Sequence, residues 1–221
     1  MRILFDDIIQ YSDAPKELKS PALAEMKHID GPVLITLDKQ RPINAIGIGN
    51  TDGSQFTVTF NDAGATVFQF QFTESGLYVM DKTVSASVIT VSTNASYIGR
   101  LGAGIGANIP TAITKEPGLC STAEPRVTLS GQVIPGAGGY IYRTVSLDSR
   151  YKIDRPIMSE INAGYKYIGM GYPFFIDLSD ESYKLLFSKL YANERNQQKM
   201  AFESGVRRFL YSRRFEFEER F

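Results

Sequence analysis

Few side chains in this chain of 221 residues are suited to chemistry at neutral pH. His28 is the only histidine and Cys120 the only cysteine. A triad built on His28 needs a carboxylate to orient the imidazole and a nucleophile beside it, and nothing in the local sequence supplies them; His28 reads as a surface or boundary residue. A structural zinc site takes about four Cys, His or carboxylate ligands, which one cysteine and one histidine do not provide. Cys120 lies between Leu119 and Ser121. A reactive thiol needs nearby cations or a helix start to stabilise the thiolate, and Lys115 alone does not establish that. With no second cysteine there is no internal disulfide, and the redox compartment stays open.

Gly99, Gly102, Gly104 and Gly106 form a glycine-rich run that superficially resembles a dinucleotide loop. Such a loop requires a parallel strand before it, a helix after it and an acid about twenty residues on. Pro110 follows soon afterwards and the surrounding pattern is antiparallel, so these glycines are expected inside a strand or bulge where another group approaches closely. Carboxylate pairs of the glycosidase kind are conceivable at Asp6/Asp7, at Asp177/Asp180/Glu181 and at Glu216/Glu218/Glu219. The first reads as a solvated chain start, the second as a helix first turn, and the third as charge balance beside Arg214. Arg207, Arg208, Arg213, Arg214 and Arg220 are the one basic concentration. Guanidinium groups interleaved with Phe209, Tyr211 and Phe215 suit a subunit interface. Base stacking is the other use of that combination, but Glu216, Glu218 and Glu219 neutralise it. No catalytic set, metal or cofactor is expected, and the chain is not expected to be an enzyme.

The elements that carry these residues are mostly strands. Phe56, Val58 and Phe60 alternate with Gln55, Thr57 and Thr59; Phe68, Phe70 and Phe72 alternate with Val67, Gln69 and Gln71; Leu77 and Val79, then Ile89 and Val91, follow. Period two with β-branched and aromatic residues marks half-buried strands. Asn50-Thr51-Asp52-Gly53, Asn61-Asp62-Ala63-Gly64 and Glu74-Ser75-Gly76 carry turn chemistry between them. The spacing predicts a mainly β chain: an N-terminal arm over 1–29, a jelly-roll-like β-sandwich over 30–107, a linker over 108–125 rich in breakers, and a second β-rich domain over 126–221. In that second domain Ser179 is placed as an N-cap followed by Asp180 and Glu181, where the helix dipole favours acids. Tyr183, Leu186, Phe187 and Leu190 fit helical spacing; a strand over Lys184–Tyr191 fits nearly as well, and one short helix is expected. Phe209, Tyr211, Phe215 and Phe217 are expected on one face of a single final strand.

Composition narrows the partners. Lys plus Arg and Asp plus Glu each total 24, so the formal net charge is zero. Phosphate-dominated nucleic-acid binding usually brings a basic excess, and a neutral surface lacks the self-repulsion that keeps copies apart. Hydrophobic residues at 43% and charged residues at 22% exclude a disordered or collagen-like chain. Met1-Arg2-Ile3-Leu4-Phe5 is interrupted at once by Asp6 and Asp7, so no signal peptide is expected. The longest uncharged stretch, between Lys82 and Arg100, alternates and is rich in Ser and Thr, so it does not read as a membrane span.

Asn44-Ala45-Ile46-Gly47-Ile48-Gly49-Asn50-Thr51-Asp52, followed by the Phe56–Phe60 strand, resembles the galactose-binding-like (discoidin-type) sandwich of tailed-bacteriophage structural proteins. Further on come Ala123-Glu124-Pro125-Arg126-Val127-Thr128-Leu129-Ser130-Gly131-Gln132, Pro135-Gly136-Ala137-Gly138-Gly139, Ser146-Leu147-Asp148, Arg150-Tyr151-Lys152-Ile153-Asp154 and Arg208-Phe209-Leu210-Tyr211-Ser212-Arg213-Arg214-Phe215. In that order they resemble a recurrent family of phage virion proteins. The resemblance covers most of residues 40–221. It implies a non-enzymatic component of the virion, in the tail or its tip and adaptor region, bound to other virion proteins and to copies of itself. It carries over no catalytic residue. The alternative is a carbohydrate-binding module for host-surface glycans, since fold does not fix function. Tyr78, Tyr97 and Arg100 are the residue types such a site uses.

Overall fold

A computed structural model describes residues 2–19, 25–108, 114–121, 126–127, 133–134, 141–148, 155–168, 173–177, 188–190, 199–203, 208–212 and 214–219. The described chain is mainly β. Its strands are β1 (Arg2–Asp7), β2 (Lys27–His28), β3 (Val33–Thr51), β4 (Phe56–Asp62), β5 (Ala65–Phe72), β6 (Gly76–Thr93), β7 (Tyr97–Asn108), β8 (Thr114–Ser121), β9 (Arg126–Val127), β10 (Val133–Ile134), β11 (Ile141–Asp148), β12 (Pro173–Phe174), β13 (Ile176–Asp177), β14 (Ser188–Leu190), β15 (Lys199–Glu203), β16 (Arg208–Ser212) and β17 (Arg214–Glu219). Two α-helices accompany them, α1 (Lys16–Lys19) and α2 (Arg155–Ile168).

The largest unit is one eight-stranded antiparallel sheet ordered β13-β1-β7-β3-β6-β4-β5, with β2 added beside β7. The two long strands, β3 and β6, let this single sheet fold over. Their register shifts between Thr36 and Arg41 and again between Ile43 and Ala45; irregularities of this kind bend and twist a ladder. One limb holds the start of β3, the end of β6, β4 and β5; the other holds the end of β3, the start of β6, β7 and β1. Ile35, Phe56, Val58, Phe60, Ile89 and Val91 from the first limb share one buried cluster with Ile46, Ile48, Ile98, Leu101 and Ala103 from the second. That shared core makes the arrangement sandwich-like, and it follows from the predicted alternation: Phe56, Val58 and Phe60 are buried while Thr57 and Thr59 are only half-buried. The β4–β5 hairpin closes through Ala63 (φ +47°) and Gly64 (φ +83°) with Asp62 opposite Ala65, a two-residue loop with both central residues left-handed, which matches the twist of the flanking strands.

Three expectations need correction. Residues 1–29 are not an arm beside the sandwich. β1 lies inside the sheet, and Ile3, Leu4, Ile8, Ile9 and Leu18 are buried. Residues 108–125 are not a plain linker, because Thr114–Ser121 is a strand paired with β11 in a five-stranded sheet ordered β12-β14-β17-β11-β8. β8 is the edge of that sheet, where Pro117, lacking an N–H, is tolerated. The final strand is two strands: β16 pairs β15, while β17 runs between β11 and β14. The two belong to different sheets, so Phe209 and Tyr211 do not share a strand face with Phe215 and Phe217. The helix expected from Ser179 falls largely on 178–187, outside the described residues; Ser188–Leu190 is strand. β13 also crosses the expected boundary at 125, pairing Ile176 with Ile3 and Asp177 with Arg2 on β1.

Candidate functional site

The polar centre of the described molecule is Arg100 on β7, only 4% exposed. One guanidinium nitrogen, Nη2, donates to Asp7 Oδ2 at 2.8 Å, and Nη1 donates to the Leu18 carbonyl at 3.2 Å. The Gln10 amide is assigned with its oxygen toward the guanidinium, where it accepts from Nη1 at 3.1 Å and Nη2 at 2.7 Å. The other oxygen of Asp7 accepts from the amides of Ile9 and Ala103, each at 3.2 Å. Sequence dictates this geometry. β1 ends at Asp7, the chain turns through a single 3-10 turn at Ile8–Tyr11 capped by Asp7, and α1 then comes to lie against β7. Burial pushes the Asp7 carboxyl above its ordinary value, opposed first by the Arg100 charge and then by the two amides. Burial likewise lowers Arg100, opposed by Asp7, but a guanidinium keeps its charge in proteins. The result is a closed ion pair in which both terminal guanidinium nitrogens and both carboxylate oxygens meet protein partners. It clamps residues 7–18 to β7.

That occupancy bears on the residue types named for a glycan site. Arg100 faces Asp7, Gln10 and Leu18. Tyr78, half-buried, stacks on Phe72 with ring centroids 4.2 Å apart, meets Phe70 edge-on at 5.7 Å, and donates its hydroxyl to the Glu74 carbonyl at 2.8 Å. Tyr97 pairs with His28 in register; its amide donates to Asp52 Oδ1 at 3.3 Å and its carbonyl accepts from Thr51 Oγ1 at 2.7 Å. Tyr78 is level with Ile46 on β3, whereas Ile98, next to Tyr97, is level with Thr51, a separation of roughly 17 Å along the strand. The three residues do not converge on one surface.

Among the candidate interface residues, Arg207 and Arg213 lie outside the described residues. The backbone register sets Arg208 opposite Glu203, Phe209 opposite Phe202 and Tyr211 opposite Met200, while Arg214 opens β17 opposite Asp148. His28 is exposed, and Cys120 sits on β8 opposite Tyr142. No group of three or more His, Cys, Asp or Glu able to hold a metal occurs among the described residues. No helix among them is long and apolar enough to cross a membrane.

The glycine run lies in β7, and its small size makes room for packing. A Cβ on Gly102 would lie 2.7 Å from the Phe175 ring, as would one on Gly47 across the ladder. The 1%-exposed Phe175 therefore rests directly on glycine backbone, with Leu4, Ala45 and Leu77 around it. At Gly104 (φ +148°) a Cβ would collide with the Asp6 carbonyl, beside the bulge between Leu4 and Asp6. Neither the Asp7–Arg100 pair nor Phe175 was singled out from sequence. The usable signal was Asp7 itself, an acid bracketed by Ile3-Leu4-Phe5 and Ile8-Ile9, where burial forces it to find a cation.

Compared with known protein families, with curated proteins and with solved structures, the chain shows no match.

Proposed function

We propose that the chain is a non-enzymatic structural subunit of a tailed-bacteriophage virion, placed in the tail or its tip and adaptor region and held by other virion proteins and by copies of itself. The observation that carries this reading is the ordered series of segments from Ala123 to Phe215 that resembles virion proteins of this length. Two features of the fold support it. Both large sheets end in a strand of eight residues, β5 in one and β8 in the other, and sheet edges are natural sites for pairing between chains. The buried Asp7–Arg100 ion pair is closed on itself, which suits a scaffold better than a reaction centre.

The finer fold assignment, a jelly-roll-like sandwich of the galactose-binding-like type, is part of the same proposal. Its support is the resemblance at Asn44–Asp52 together with the folded antiparallel sheet. The glycan-binding alternative gains nothing from the geometry, because Arg100 is held by Asp7. Mass spectrometry of purified virions from the host that carries this sequence tests the proposal. The chain is expected among the stoichiometric particle proteins, with antibody labelling confined to the tail. Its absence from intact particles overturns the reading.

A further inference from the structure

The free edge of the eight-stranded sheet is β5. β4 pairs one of its sides, and no strand among the described residues pairs the other. Exposed edges are commonly protected by lysine, proline, a very short strand or a bulge. β5 reads Ala-Thr-Val-Phe-Gln-Phe-Gln-Phe, with no charge and no proline. It does have a bulge: Phe68 opposes Phe60 while Thr66 opposes Asn61, leaving Val67 as the extra residue. Beyond it, Phe68–Phe72 pairs regularly with Phe60–Phe56. Phe72 is buried, but Phe68 and Phe70 are only half-buried at the rim of the core.

The regular part of this edge, Phe68-Gln69-Phe70-Gln71-Phe72, is a palindrome. We propose that it pairs antiparallel with the same segment of a second copy, about a two-fold axis through Phe70, so that one sheet runs continuously through both molecules. Antiparallel pairing centred there sets Phe68 opposite the second copy's Phe72, Phe70 opposite Phe70, and Gln69 opposite Gln71. Every residue then meets its own type on its own face. A palindromic, uncharged strand is complementary to itself whatever else it meets, and this selects a second copy over an unrelated chain. Phenylalanines opposed across the existing β4–β5 ladder already stack, Phe56 with Phe72 at 5.2 Å and Phe60 with Phe68 at 6.5 Å; the second copy continues that row and covers Phe68 and Phe70. Two-fold contacts in which the same patch serves both subunits are the commonest kind in homo-oligomers. This deepens the reading as an assembling subunit by naming one contact, but it stands or falls on solution behaviour and not on presence in virions.

The test uses the full chain in sedimentation equilibrium. The wild type is expected to be a dimer at about 10 µM, a range ordinary for a modest interface. Gln69→Lys with Gln71→Lys sets like charges opposite each other twice and is expected to raise the dimer dissociation constant about 100-fold. Gln69→Lys with Gln71→Glu sets each lysine opposite a glutamate and is expected to restore it to within about 10-fold of wild type. A monomeric wild type at about 100 µM, a dimeric double-lysine variant, or a Lys/Glu variant as monomeric as the double-lysine one overturns the proposal. Hydrogen exchange on the wild type is independent of how the variants fold. Amides within Phe68–Phe72 are expected to gain protection with protein concentration, and their failure to do so equally counts against the pairing.

Discussion

The two edges of the large sheet are finished in opposite ways. On one side β1 is flanked by a strand of only two residues, β13, tied to it by the Arg2–Asp177 ion pair at 3.1 Å and by the Leu4 amide on the Phe175 carbonyl. Residues 8–19 then run back beside β7 and are fastened by the buried Asp7–Arg100 pair. On the other side β5 ends the sheet with no charge at all. The contrast shows that the fold has the means to close an edge, with charge, a short strand and a returning segment, and applies them to one side only. Among the described residues the β5 edge is bare beside one so thoroughly covered, and the proposed pairing of two copies rests on that difference.

The comparison breaks most sharply at Arg100. Arg100→Met leaves Asp7 buried without its cation, and loss of one partner of a buried pair costs about 3–5 kcal/mol. Urea unfolding is expected to show a shift of that size with an unchanged slope. Adding Asp7→Leu to Arg100→Met removes the orphaned charge and is expected to recover most of the loss, since apolar replacement of a whole buried pair is often nearly neutral. A single variant as stable as wild type would mean that residues 8–19 are held on β7 by apolar packing alone, through Ile8, Ile9 and Leu18.

The next effect is steric and belongs to the same closed side. Gly102→Ala brings a methyl to 2.7 Å from the Phe175 ring and 2.8 Å from Leu4 Cδ2. Overpacking of that kind costs about 1–3 kcal/mol. In a Phe175→Leu background the ring is gone, so the same alanine is expected to cost less, and the difference in unfolding free energy measures the contact. At the open edge the corresponding change is small. Gln69→Lys touches an exposed side chain and is expected to alter the unfolding free energy of dilute monomer by less than about 0.5 kcal/mol. A loss comparable to Gly102→Ala would show that β5 is held more tightly than its one-sided pairing implies.

The open edge was legible in the sequence and the closed one was not. Phe68, Phe70 and Phe72 announce β5 because alternation is a local signal, and Asn61–Gly64 announces its turn. β1 carries no alternation, because Ile3, Leu4 and Phe5 are all buried in succession; a strand covered on both faces reads as a plain apolar run, and here one too short to identify. Phe175 and β13 are more than 170 residues from the β1 residues they join, and pairing at that separation leaves no mark in either segment. α2 was missed for another reason. Ile157, Met158, Ile161, Tyr165 and Ile168 recur at helical spacing, and Pro156 is acceptable in a helix first turn, but Ser179 followed by Asp180 and Glu181 carries the plainer cap signal and places the one expected helix further along. At Arg100 the residue type is legible in the sequence and its setting is not: an arginine suits a ligand and a buried carboxylate equally, and Asp7, the carboxylate that claims it, is 93 residues away.

The smallest expected effect separates the two sides by pH. Asp52 Oδ1 accepts from the Ser96 amide at 2.9 Å and the Tyr97 amide at 3.3 Å, fixing the turn into β7. Partial desolvation works against this carboxylate, but the amide hydrogen bonds from Ser96 and Tyr97 prevail and hold it below its ordinary 3.8. A carboxyl lowered in the folded state stabilises it above 3.8 and loses that contribution as pH falls through the lowered value. The amide proton resonances of Ser96 and Tyr97 are therefore expected to titrate with a midpoint below 3.8 in the wild type and to stay still in Asp52→Asn. β5 contains no titratable side chain, so the Gln69 and Gln71 amides, followed in the same dilute sample, are expected not to move. Titration of those two amides with the Ser96 pair would mean that acid reaches β5 through the body of the sheet, and the two sides would then respond as one unit instead of two.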